Sequence, residues 1–352
     1  MFLLVAAAMA QGPSPKIING ADASEGDFPA TGGMVMGATL SFQGQGQDIR
    51  QFVCSSTLIA PDTVLLAAHC IDEFAFTYGI FELQNADMRW TRQSDLSSLD
   101  GTSQSIPAWP DDAVAAWDWV YHPSWDMQAL ATGLSENRDI ALLFLDEPVL
   151  DVDFMYLATA EEAQALDVGS PVTVVGWGQQ IATGFGQPSP EGSYAYKQMG
   201  ESYIAEVSPY EFKVGDLESD VRKCHGDSGG PSFAQVGADG DWRLVGVTSH
   251  AYDNTDCNET GGVDTRVDYY LDWIDAEMQA RCDDGTRSWC EQTGIPNASL
   301  EPDLGDDPIV VDVEEKRRLF GCSSAPSQRS LGLLGLAAGL LMMGRRRRRR
   351  RD

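Results

Sequence analysis

Residues 226–231 read Gly226-Asp227-Ser228-Gly229-Gly230-Pro231 and surround a candidate nucleophile, Ser228. A serine hydroxyl is weak unless a neighbouring imidazole takes its proton as it attacks. Amide hydrolysis by such a group also needs an orienting carboxylate and an oxyanion hole. The rest of the chain must therefore supply a base and a carboxylate.

The chain holds four histidines. His69 follows the apolar run Val64-Leu65-Leu66-Ala67-Ala68 and precedes Cys70, so a disulfide can pin its backbone. His122, in Val-Tyr-His-Pro-Ser-Trp, reads as structural, and His225 and His250 flank the serine segment. Asp139 leads into a second apolar run, Ile140 to Leu145. Taken singly, these are an ordinary turn serine, core histidine and capping aspartate; their argument lies in their combination and order.

Most of the chain patterns as strands. Phe52 to Ile59, Thr63 to Ala67, Ile140 to Leu145, Val172 to Val175 and Trp242 to Ser249 are short apolar or alternating runs bounded by turn residues. One long helix is expected near Tyr269, with Tyr270, Leu271 and Ile274 on one face and Asp272 and Asp275 pointing away. Many short strands imply an all-β barrel or sandwich. Asp72 to Trp119, rich in Ser, Asp, Gln and Trp and without a clean period, reads as a large surface loop. Asp283 to Val313 reads as a flexible acidic tether.

Composition excludes some functions. The 352 residues carry a formal net charge of -29, which repels nucleic-acid phosphates. The seven cysteines include no CxxC pair, which favours disulfides in an oxidising compartment over a zinc or redox site. No metal cluster and no cofactor motif is evident.

The segments Ala67-Ala68-His69-Cys70, Asp139-Ile140-Ala141-Leu142-Leu143 and Gly226 to Pro231 resemble the three catalytic motifs of the trypsin/chymotrypsin family, in that family's order. Ile17-Ile18-Asn19-Gly20, Gly176-Trp177-Gly178 and Gly262-Val263-Asp264-Thr265-Arg266-Val267 also match, so the resemblance spans Ile17 to Met278. It implies two six-stranded antiparallel β-barrels with a C-terminal α-helix, and a serine endopeptidase acting on protein or peptide substrates. By position, His69 is then the general base, Asp139 its orienting carboxylate and Ser228 the nucleophile, with the N–H groups of Gly226 and Ser228 as oxyanion hole. The resemblance also implies a zymogen. Cleavage after Lys16, by itself or by an activating protease, frees the amine of Ile17 to pair with Asp227. The implied bridges are Cys54–Cys70 and Cys224–Cys257. Cys282 and Cys290 are paired here as a local loop, and Cys322 is left single.

The family's pocket floor is set by the residue six before the nucleophile, here Arg222. A cationic floor favours an acidic residue before the scissile bond. Asp264, which aligns with the back of the pocket, is expected to neutralise Arg222, and Asp220 is a second carboxylate within reach; either one instead favours a basic residue. Ser249, His250, Ala251 and Gly262 complete the expected pocket, with His250 and Ala251 in place of the family's usual Trp-Gly.

The ends read as processed segments. Residues 1–10 end in Ala8-Met9-Ala10 and suit a signal peptide, and 11–16 form a short propeptide. The protease domain is assigned to 17–279, an acidic linker with the local Cys loop to 280–320, and a tail to 321–352. That tail, Gly321-Cys322-Ser323 with an apolar run at Leu331 to Gly344 and seven arginines, resembles the sorting tails of myxobacterial surface proteins. It implies attachment at the cell surface or membrane, with Cys322 as candidate anchor. The rival to an active endopeptidase is a catalytically inert binding or adhesion module on the same fold.

Overall fold

The computed structural model describes residues 17–295, except 104, 182–188, 254–256, 258–260, 288 and 291–293. The expected signal peptide, propeptide with Lys16, and tail with Cys322 lie outside the described residues. Among the described residues no helix is long and apolar enough to cross a membrane.

After a two-residue strand β1 (Ala21–Asp22), six strands form the first barrel: β2 (Thr31–Phe42), β3 (Gln45–Ala60), β4 (Thr63–Leu66), β5 (Glu82–Thr91), β6 (Val114–Tyr121) and β7 (Ala141–Leu145). It closes in the order β2-β3-β4-β7-β6-β5, with β5 returning to β2. The second contains β8 (Pro171–Gly176), β9 (Gln198–Val207), β10 (Glu211–Val214), β11 (Pro231–Gln235), β12 (Trp242–Ala251) and β13 (Gly262–Arg266). Its sheet runs β9-β10-β13-β12-β11-β8, and the β8–β9 ladder closes it into a second six-stranded antiparallel barrel. A helix, α2 (Leu271–Asp283), ends the fold.

Every residue of β7 is buried because both of its faces are covered. One faces the barrel interior; on the other, Arg281 of α2 lies 4.1 Å over the ring of Phe144. A strand covered on both sides reads as a continuous apolar run rather than an alternation. Ile274 and Met278 are the buried face of α2. His122 packs edge-on against Tyr270 and at a tilt against Trp273, consistent with a structural role.

The stretch from Asp72 to Trp119 is not one loop. It contains a short helix, α1 (Glu73–Thr77), all of β5 and most of β6. The period is hidden because Gly37 pairs with Asp87 while Thr39 pairs with Gln84, a bulge at which Asn85 takes φ 53°. Leu83 on one side of the bulge and Met88 and Trp90 on the other are therefore out of phase in sequence.

The expected tether also begins later than Asp283. Arg287 is buried and its Nε lies 3.0 Å from Oδ1 of the equally buried Asp62, while Trp289 N donates to Oδ2 at 3.2 Å. Cys282 and Cys290 form a disulfide, and Gly294 O accepts from Leu157 N at 2.7 Å. The acidic composition hid one buried arginine. Arg287→Ala is expected to cost ~3–5 kcal/mol by stranding Asp62, because a buried charge without its partner is poorly solvated. Thermal unfolding should show this as a Tm lower by roughly 10 °C. An unchanged Tm would show that the pair contributes nothing.

Candidate active site

Each half of the site is delivered by one barrel. Strand β4 ends at Leu66 and the chain tightens into a single 3-10 turn, Ala68–Cys70, that carries His69. A disulfide from Cys70 to Cys54 on β3 anchors that turn. Asp139, fully buried, precedes β7. Its Oδ1 accepts from the backbone N of His69 at 2.9 Å, and its Oδ2 lies 2.7 Å from His69 Nδ1. Ser249 Oγ of β12 donates to the same Oδ2 at 2.6 Å. Three donors on one carboxylate fix both its position and its charge.

Burial drives Asp139 upward and His69 downward, but their mutual attraction and hydrogen bonds outweigh it. Asp139 ends below the usual carboxylate range, and His69 above its ordinary 6.5. With Asp139 ionised, Nδ1 is the protonated nitrogen of the neutral ring and Nε2 is left as acceptor. The loop that brings Asp139 is itself tied down. Asn137 Nδ2 and Ser135 N donate to Glu211 at 3.0 and 2.7 Å, and burial pushes Glu211 up to about 7 against those bonds.

The second barrel supplies Ser228 on the turn before β11. Gly226 takes φ 95°, and a Cβ there would stand 2.7 Å from Tyr194. Gly229 takes φ 75°, and a Cβ there would meet Ser55 O at 2.5 Å. Only glycine meets both demands, a left-handed backbone and a close approach. The turn is held from the first barrel by Ser55, whose N and Oγ both donate to Gly226 O, at 3.2 and 3.0 Å. Ser55 was not among the sequence candidates, and its position beside Cys54 is the one signal that pointed to it.

His69, Ser228, Gly226, Ser249, His250 and Ala251 all line one cleft of about 500 Å³. Among the described residues no hydrogen bond joins Ser228 Oγ to His69 Nε2; such contacts commonly tighten only when substrate is bound. Asp227 points away from the cleft wall into the protein. Its Oδ1 accepts from Gly178 N at 2.8 Å and its Oδ2 from Cys224 N at 2.9 Å. Burial nevertheless raises its pKa to about 6. Ile17 is buried, and Arg222 N donates to Ile18 O at 3.0 Å, which ties the start of the described chain to the segment before Asp227.

Arg222 does not floor the cleft. It is buried with Nη1 on Cys257 O at 2.8 Å and Nη2 on Glu218 O at 3.0 Å. Successive side chains of an extended segment point to opposite sides, so its neighbour Lys223 reaches the cleft instead. Asp264 neutralises Lys223 rather than Arg222, with Nζ at 2.9 and 2.7 Å from its two carboxylate oxygens. Asp220 accepts from Tyr203 and from the N–H groups of Asp216 and Leu217, and Gly262 is opposite Ala251 on β13; neither lines the cleft. A second disulfide, Cys224–Cys257, borders this region. The sulfurs of Cys54, Cys70, Cys224 and Cys257 are thus in disulfides, and their clusters with His69 and His225 present no thiolate to a metal.

Comparison with known proteins agrees with this architecture. The family model Trypsin matches residues 17–274. Proproteinase E of Bos taurus is 30% identical over 274 residues, covering 75% of this chain and 95% of that protein. Chymotrypsin-like elastase family member 3B of Homo sapiens is 29% identical over 291 residues, covering 78% and 94%. CLIP domain-containing serine protease B14 of Anopheles gambiae is 29% identical over 293 residues, covering 75% and 72%. With two closed barrels and a cleft lined by His69 and Ser228, this chain belongs to the trypsin family and is a serine-type endopeptidase.

Proposed function

We propose that the chain hydrolyses peptide bonds outside the cytoplasm through Ser228, His69 and Asp139, and that it is made as a zymogen. The observation that carries this reading is the buried chain of contacts from Ser249 through Asp139 to His69, in the same cleft as Ser228. His69 Nε2 takes the Ser228 proton as Oγ attacks the carbonyl carbon, and later returns it to the leaving amine. Asp139 keeps Nδ1 protonated and stabilises the imidazolium. The N–H groups of Gly226 and Ser228 receive the oxyanion. Neither of them has an acceptor among the described residues.

Activation follows from Asp227. It is a fully buried carboxylate that accepts two backbone N–H bonds and touches no cation among the described residues. Cleavage after Lys16 gives it the ammonium of Ile17. That pairing stabilises the ionised form and fixes the turn carrying Gly226. The protease unit runs from Ile17 to about 279, with Arg287, Trp289 and Gly294 of the following segment in contact with it. Beyond them lie the rest of the linker and the tail, through which the enzyme is held at the cell surface after processing near Cys322.

Fluorophosphonate labelling of Ser228 tests the reading. The chain cleaved after Lys16 should label roughly 100-fold faster than the uncleaved chain, the scale of losing one oxyanion donor. An inert cleaved chain would instead support the binding module. Intact mass of the same protein taken from the cell surface tests the tail, since retained arginines exclude its removal.

A further inference from the structure

The cleft that holds Ser228 and His69 runs inward to Lys223, and the partners of that lysine decide which side chains the cleft can accept. Lys223 and Asp264 are both buried. Lys223 Nζ donates to both oxygens of Asp264, at 2.9 and 2.7 Å, and to Ser232 Oγ at 2.9 Å. An ammonium has three protons, and all three are committed. The other cation nearby, Arg222, is turned onto the carbonyls of Cys257 and Glu218. Both cations beside the cleft are therefore engaged by the protein itself, Lys223 by a carboxylate and Arg222 by carbonyl oxygens.

We propose that the Lys223–Asp264–Ser232 set is a self-neutralised floor, and that it makes this endopeptidase select an uncharged side chain immediately before the scissile bond. The proposal rests on the assignment of Ser228 and His69 given above. A substrate carboxylate reaching the floor must take Lys223 from Asp264 and leave Asp264 buried without its cation. A substrate cation must take Asp264 and strand Lys223. Both exchanges replace a made ion pair by an unpaired buried charge, which is a strong form of rejection. An uncharged side chain disturbs neither. With its Nζ engaged, Lys223 offers the cleft its aliphatic stem, an apolar surface. Farther out, Ala251 of β12 lines the cleft and adds only a methyl group to its wall. The selected residue is thus apolar and of middle size, such as leucine or methionine.

The test uses the chain cleaved after Lys16, with active sites counted by fluorophosphonate. It is assayed on peptides that differ only in the residue before the scissile bond: Leu, Met, Glu, Lys or Arg. Leu and Met should exceed the charged residues in kcat/KM by roughly 100-fold or more, as expected when rejection leaves buried groups unpaired. Asp264→Asn, which removes the carboxylate from Lys223, should raise Glu relative to Leu by roughly 10-fold, and Lys223→Met should do the same for Lys and Arg. A labelled wild-type enzyme that prefers Glu, Lys or Arg overturns the proposal, whether or not the variants fold. Labelled variants whose Glu/Leu and Lys/Leu ratios stay at the wild-type values overturn it too. A cleaved chain that does not label at all overturns the Ser228 assignment, and this proposal with it.

Discussion

Replacing Ser228 by alanine is expected to lower kcat by ~10⁶-fold, the scale at which a serine nucleophile and its base act as one unit. The size follows from what is lost. Without Oγ no acyl-enzyme forms, and His69 is left as a base with nothing to deprotonate but water. Binding and the oxyanion donors at Gly226 and Ser228 are untouched, because those donors are backbone N–H groups. Residual hydrolysis of ~10³-fold over water should therefore survive. Substrate affinity should stay near that of the wild type, which separates this outcome from unfolding. Ser228→Ala with His69→Ala should be little worse than either alone. A Ser228→Ala protein retaining even a hundredth of wild-type kcat would mean that another group is the nucleophile.

The second large effect belongs to Asp139→Asn, expected to cost ~10⁴-fold in kcat with the fold intact. An amide in place of the carboxylate presents a donor to Nδ1. The ring then keeps its proton on Nε2, the nitrogen that must accept. The pH profile is the sharper readout. His69 is held above 6.5 in the native protein by Asp139, against burial. A raised pKa keeps the proton on the ring to higher pH, so wild-type kcat/KM should fall as pH drops through a value above 6.5. With the charge gone, burial is opposed only by the weaker pull of Asp72, and the limb should move to lower pH. A limb that stays in place would assign the titration to another group.

The groups proposed to react were legible in the sequence because the chemistry restricts them to few residue types at fixed places. His69, Asp139 and Ser228 each sit beside an apolar strand or a glycine turn, and those local patterns needed no tertiary information. The pocket was another matter. Arg222 and Lys223 are neighbours, and which one faces the cleft depends on a single bridge to Ile18 and on two carbonyl acceptors, Cys257 from a loop 35 positions away and the nearby Glu218. Counting along the chain does not reveal that half-turn. The strand β5 was hidden for a related reason, since the bulge at Asn85 inverts its phase. Ser249 was expected in the pocket wall; it is there, but its hydroxyl is spent on Asp139, a contact between residues 110 positions apart. Local pattern thus carries the proposed chemistry, while the surroundings of those groups depend on contacts between residues far apart in the chain.

The docked segment after α2 has a mechanical consequence. Gly294 is wedged so closely against Ile59 of β3 that a Cβ would stand 2.2 Å from its carbonyl, while its own carbonyl holds Leu157. Leu157 in turn bridges to Leu244 on β12. A continuous line of backbone contacts therefore runs from the first barrel, through the last described residues, into the second. Neither barrel can open without breaking this line, so the two should exchange their slowest amide hydrogens as a single cooperative unit. His69 and Ser228, which belong to different barrels, are then held in one unit by the segment after α2 as well as by Ser55.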